Sequence, residues 1–308
     1  MVEVLLHTAA LIGLGVLWHG WRPNGQPPET TRDSLTGIVY YLLLPALVLD
    51  VLGSVDDHGD SLRIAAVAAA GVLGSLGLQA LWLRYQGRLP KRQQGALLLA
   101  AGFPNATYLG LPILQSTLGD AAASVAIRYD LFACLPLVLT LGVLIAHHFG
   151  DTEESPNRVQ TLFRVPALWA AGLAILLGTT HTAVPAVFEG LLERLGDAVI
   201  PLMLIAFGLS LQRPVPVPGI ATALPVTLAI QLLAMPALVL LASGAIGVTG
   251  ETRIAVVLEG AMPSMILGVV LCQRYGLDTA LYTNVVTIGT IVSAFTLPIW
   301  LHFLTNTP

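Results

Sequence analysis

The stretch Gly102-Phe103-Pro104-Asn105-Ala106-Thr107-Tyr108-Leu109-Gly110-Leu111-Pro112 sets a proline near the centre of a long apolar run, and Gly260-Ala261-Met262-Pro263-Ser264 does the same roughly half a chain later. A proline inside a helix has no amide hydrogen to donate, and its ring collides with the carbonyl of the preceding turn. Gly102, Gly110 and Pro112 weaken the first run further. In hydrocarbon a freed backbone group is costly, so a break there is tolerated only where protein, water or a ligand satisfies it. Two breaks at matching depths therefore point to a site. Their half-helix ends would offer partial positive charge from spare amides and partial negative charge from spare carbonyls, so that a carboxylate and a cation can share the space.

The surrounding chain explains why hydrocarbon is the relevant solvent. Of its 308 residues 55% are hydrophobic and only 10% charged, where a soluble domain carries about 25% charged residues. Nearly the whole chain divides into apolar runs of the length that crosses a bilayer, about 20 residues. They fall near Val2 to His19, Ser34 to Gly53, Leu62 to Leu83, Gly95 to Leu118, Ala121 to Ala146, Val165 to Thr180, Ala186 to Leu211, Gly219 to Ile246, Arg253 to Tyr275 and Leu277 to Leu304. The first run has Glu3 rather than a positive segment at its start, and it reads as a retained span. The chain is expected to be an all-α polytopic membrane protein of ten transmembrane helices.

With ten spans the connections alternate between two sides. One side collects Arg22, Arg32, Arg84, Arg88, Lys91, Arg92, Arg158, Arg164, Arg213 and Arg274; the other holds Arg63, Arg128, Arg194 and Arg253 beside the acidic Asp56, Asp57 and Asp60. The richer side is expected to be the cytoplasm, which places the protein in the cell inner membrane with both termini outside. Residues 147–164 then form a cytoplasmic linker at the midpoint, between a first five-helix repeat, 1–146, and a second, 165–308. The punctuation repeats across that linker: Leu44-Pro45-Ala46-Leu47 matches Ile200-Pro201-Leu202-Met203, and Pro136 of span five matches Pro298 of span ten. Five spans is an odd number, so the repeats must be inverted, as in secondary transporters.

The stretch from Gly102 to Pro112 is similar to the first crossover of the auxin efflux carrier family of membrane transport proteins. Arg253-Ile254-Ala255-Val256-Val257-Leu258-Glu259-Gly260-Ala261-Met262-Pro263 resembles the second crossover, and Tyr41-Leu42-Leu43-Leu44-Pro45-Ala46 resembles the second helix. The resemblance implies a fold with crossing broken helices four and nine, shared with the bile-acid sodium symporter group. It also implies a transport bundle moving against a scaffold of spans one, two, six and seven, and a homodimer. By the same resemblance Pro104, Asn105 and Pro263 help to hold the substrate. Where plant auxin carriers have charged supporting groups on the third helix, span three here offers Gln79.

Several other residues follow from depth alone. Glu259 lies six residues into span nine, about 9 Å along the axis at 1.5 Å per residue, where an acid costs roughly 2.5 to 3.5 kcal/mol. It is a candidate to carry a coupling proton or sodium ion, the alternative being a polar group that bonds a neighbouring helix. Arg128 and Asp130, two apart in span five, point to different faces and are expected to find partners on other spans; Asp130 is a second candidate for ion coupling and Arg128 joins that set. Thr107, Gln231 and Ser264 are neutral polar groups near mid-depth, suited to orient a carboxylate, with interhelical hydrogen bonding as the other reading. Cys134 and Cys272 sit inside apolar runs and read as packing residues.

Other functions find less support. The basic residues are scattered rather than clustered, which argues against a nucleic-acid surface. No His-Glu-x-x-His or Gly-x-Ser-x-Gly motif is present, and no enzyme chemistry, metal or cofactor is expected. The expectation is a secondary transporter of a small organic anion, working in the lipid bilayer; an uncoupled uniporter or channel remains the alternative.

Overall fold

The computed structural model describes residues 2–23, 25–53, 59–86, 89–151, 166–180, 185–210 and 222–306. The expected linker beyond Asp151, the acidic Asp56 and Asp57, and the basic Arg88, Arg158, Arg164 and Arg213 lie outside these residues. Every regular element among the described residues is helical: α1 (Val2–Trp21), α2 (Pro28–Leu52), α3 (Gly59–Gln86), α4 (Lys91–Gly102), α5 (Leu111–Leu118), α6 (Asp120–Phe149), α7 (Pro166–Thr179), α8 (Ala186–Asp197), α9 (Val199–Ser210), α10 (Ala223–Ile246), α11 (Gly250–Gly260), α12 (Leu267–Tyr275) and α13 (Thr279–Asn306). By length and composition α2, α3, α6, α10 and α13 can cross a membrane, and Ala10–Trp21 and α7 are shorter apolar helices.

The expected spans four and nine are each two short helices with a break between them; in span four the break is followed by a wide turn, Ala106–Gly110, that leads into α5. Span seven, expected as one run, is also divided: α8 and α9 meet at Ala198. The cause is visible in the residues. Glu189, Glu193, Arg194 and Asp197 make α8 a charged helix, and Pro201 supplies no amide to the turn that would join it to α9.

Long helices carry wide turns, in which the amide bonds five residues back instead of four. Leu44 N–H donates to Val39 O, Leu135 N–H to Asp130 O, and Met235 N–H to Ile230 O. Each donor is followed at once by a proline: Pro45, Pro136 and Pro236. The ring crowds the carbonyl four residues back, and the helix relieves the clash by opening one turn. A further wide turn, Val138–Gly142, has no proline after it, and nothing in its surroundings explains it.

The chain divides into two compact units. The first comprises Met1–Ser61, Thr107–Ile127 and Val159–Leu211. In it α1 packs along α9, while α7 and α8 pack on the second half of α2. Leu47, Val48, Met203, Leu204 and Phe207 are buried there. The second unit comprises Leu62–Ala106, Arg128–Arg158 and Gln212–Pro308. It packs α4 against the end of α6 and against α13, α10 against α11, and α12 against α13. Gly95 to Gly102 of α4 and Ala255 to Gly260 of α11 are buried on all sides, which is why these segments, Glu259 apart, are apolar around the whole helix rather than along one stripe.

Candidate functional site

Within the second unit α4 and α11 have 12 and 11 residues, so each rises about 16 to 18 Å, roughly half of a 30 Å hydrocarbon core. Each stops at its proline signal. Phe103, the residue before Pro104, is extended at φ −122°, ψ 108°, the conformation that a following proline imposes.

The two breaks are paired. Pro104 and Ser264 face each other in an antiparallel β-bridge. Asn105 N–H donates to Pro263 O at 2.7 Å, and Met265 N–H donates to Phe103 O at 3.0 Å. Side chains take three further carbonyls: Ser264 Oγ donates to Ala100 O at 2.6 Å, Gln231 Nε2 to Met262 O at 2.9 Å, and the Tyr282 hydroxyl to Met265 O at 2.7 Å. These bonds satisfy carbonyls that the irregular backbone would otherwise leave unpaired in the interior.

Unspent polar atoms lie in the same unit. Asn105 is buried and its Nδ2 has no hydrogen-bond partner; the same holds for both carboxylate oxygens of Glu259, Oε1 of Gln231, the hydroxyl of Tyr129 and the amide of Gln79. Glu259 is fully buried, and Asp130 of α6 is near enough to act on it as a like charge. A side chain added at Gly71 would touch the Tyr129 hydroxyl, Met235 and Val239, and one added at Gly260 would touch Val239 and Pro236. Helices α3, α6, α10 and α11 therefore converge beside Glu259. A buried polar group left without a partner costs about 1 to 3 kcal/mol, so each of these atoms is open to a further hydrogen bond.

Pro104, Asn105, Pro263, Ser264 and Gln231 thus come together, with Glu259 four residues before Pro263 on α11. Arg128 and Asp130 lie on the part of α6 that belongs to this unit, and both are engaged with neighbours. Thr107 belongs to the first unit. Tyr129 and Tyr282 are the residues that sequence reasoning missed. Each is a tyrosine inside an apolar run, where only the need of a buried hydroxyl for a partner marks it out. An open apolar groove of about 560 Å³ along Pro225, Val226, Ala229, Ile230, Leu233 and Ala234 holds none of these polar groups. Cys134 and Cys272 are buried and free.

The model of a family described as membrane transport protein matches residues 1–301. The chain belongs to this membrane transport protein family, the auxin efflux carrier group. Members of the family that it resembles include an uncharacterized transporter of Methanothermobacter thermautotrophicus, 28% identical over 97% of this chain and 96% of the relative. A second, from Methanocaldococcus jannaschii, is 24% identical over 90% of this chain and 91% of the relative. Auxin efflux carrier component 3a of Oryza sativa subsp. japonica is 30% identical over 40% of this chain and 20% of its own length. Membership makes this a membrane transport protein of the bilayer and not an enzyme family.

Proposed function

We propose that this chain is a secondary transporter that carries a small organic anion, a mono- or dicarboxylate, across the cytoplasmic membrane under a proton or sodium gradient. The observation that carries this reading is the bridge between the two breaks, with the buried, unpartnered Asn105 amide beside it. Asn105 donates to the carboxylate, Pro104 and Pro263 keep the backbone open around it, and Glu259 with Asp130 takes the coupling cation. Thr107 and Gln231 line the route, with Arg128 supporting Asp130. The ten spans form two inverted repeats, 1–146 and 165–308, joined by the cytoplasmic linker 147–164. Both termini face outward, and the protein works as a homodimer. In the elevator-like cycle, the part that carries the crossover moves against a scaffold of spans one, two, six and seven. The first unit contains all four of those spans, which supports the division.

The test is gradient-driven uptake of radiolabelled carboxylates by proteoliposomes. Asn105→Ala is expected to raise the half-saturation concentration about tenfold, the equivalent of one lost buried hydrogen bond. Glu259→Gln is expected to keep exchange of label for unlabelled substrate but to lose accumulation against the gradient. Uptake that both variants leave untouched removes the assignment.

A further inference from the structure

We infer that Ser264 is a positioning residue: its hydroxyl stands in for the backbone amide that Pro104 lacks and holds the first break in the shape that presents Asn105. The inference rests on the reading of the paired breaks as the transport site. In a continuous α-helix the carbonyl of Ala100 would accept from the amide of residue 104. That residue is proline, so no such hydrogen exists, and the chain turns away through the extended Phe103. Ala100 is fully buried, and its carbonyl would otherwise be an orphan in the interior. Ser264 Oγ, itself buried, donates to it at 2.6 Å from the opposite break.

The same substitution of donor occurs elsewhere in the second unit. Pro236 has no amide to give the carbonyl of Leu232, four residues back, and Trp300 Nε1 of α13 donates to that carbonyl at 3.0 Å. The second break manages differently. The carbonyl four residues before Pro263 is that of Glu259, and Met262 N–H from its own turn reaches it at 3.2 Å. At the carbonyl its proline deprives, each break therefore behaves differently: the first depends on a side chain lent by the second, and the second uses an amide of its own turn.

This has a consequence for specificity. A serine hydroxyl has one hydrogen, and Ser264 spends it on Ala100. It can accept from cargo but has nothing left to give an anion. Among the side chains at the breaks themselves, Phe103 to Asn105 and Ala261 to Met265, the donor left unspent is Nδ2 of Asn105.

The inference is tested on the purified full-length protein with Ser264→Ala, Pro104→Ala and the double variant. Ser264→Ala should speed hydrogen exchange about tenfold in peptides covering Asn105 and Met265, the size of one buried hydrogen bond, and lower the unfolding temperature by about 3 °C. In the double variant residue 104 has an amide again, so α4 can wind on by a turn and satisfy Ala100 itself. Exchange and unfolding temperature should return to within about twofold and 1 °C of the parent. Proteoliposome uptake of radiolabelled malonate should fall in Ser264→Ala and stay low in the double variant, because the rewound helix no longer presents Asn105. Recovery of stability without recovery of transport separates positioning from mere support of the fold. Unchanged exchange in Ser264→Ala, or a double variant as labile as Ser264→Ala, overturns the inference. If the exchange cycle behaves as expected and the parent carries no malonate, the clasp stands and the transport reading for that dicarboxylate fails.

Discussion

Tyr282 reaches from α13 to the carbonyl of Met265, and a side chain added at Gly268 would run into its phenol ring. Ring and bond can therefore be removed separately. Tyr282→Phe keeps the packing and leaves Met265 O without its donor, an expected loss of about 1 kcal/mol. Gly268→Ala puts a methyl group where the ring lies, and overpacking of that kind costs roughly 1 to 3 kcal/mol. Thermal unfolding in detergent should rank Gly268→Ala below Tyr282→Phe, and the reverse order would show that the bond matters more than the fit. At this scale the sequence was partly legible. Pro104 and Pro263 announced their breaks because proline acts through its own covalent structure. The partners of the freed carbonyls, Ser264 and Gln231, were noticed as polar residues at depth, but which carbonyl each would take depends on tertiary distance and is written nowhere in the local sequence.

Helix α1 and helix α9 lie so close that a Cβ added at Gly15 would strike Ile205 O and Gly208 Cα, and one added at Gly208 would strike Ile12 O and Gly15 Cα. Here two backbones touch through paired glycines, the arrangement small residues permit between membrane helices. Replacing either glycine by leucine must push the helices apart. The expected outcome for Gly208→Leu is a loss of several kcal/mol, at or beyond the about 1 to 3 kcal/mol of ordinary overpacking, because backbone atoms cannot swing aside. Folded yield and unfolding temperature check it, with Gly172→Leu as the control, since a Cβ at Gly172 meets nothing within 4 Å. The wide turns of α2, α6 and α10 were not foreseen, although the prolines that follow them were in plain view. The rule needed is that a proline disturbs the turn before it, and helix ends alone do not reveal how the disturbance is absorbed. The division of span seven at Ala198 was hidden for a different reason: alanine is a good helix former, and the charges of α8 had to be weighed against the apolarity of α9.

Each compact unit draws on both halves of the chain, so the order of spans along the sequence and their grouping in space are separate properties. Composition and repeat punctuation speak to the first, and only contact speaks to the second. Sidedness belongs to the same scale and can be read with cysteines, because Cys134 and Cys272 are buried while Thr305 and Arg84 are exposed. In spheroplasts a membrane-impermeant maleimide should label Thr305→Cys from outside and Arg84→Cys only after the membrane is opened. The opposite pattern would invert the proposed topology. Helix α13 has 28 residues, a rod of about 42 Å at 1.5 Å per residue, against a hydrocarbon layer of about 30 Å. Such a rod must lean or protrude into the head groups. It also bears Tyr282 and Trp300, the donors that secure Met265 O and Leu232 O. Acyl chains of greater length would bring the rod closer to upright and carry those two anchoring side chains with it, so the thickness of the surrounding lipid would bear on the break at Met265 and on the wide turn of α10.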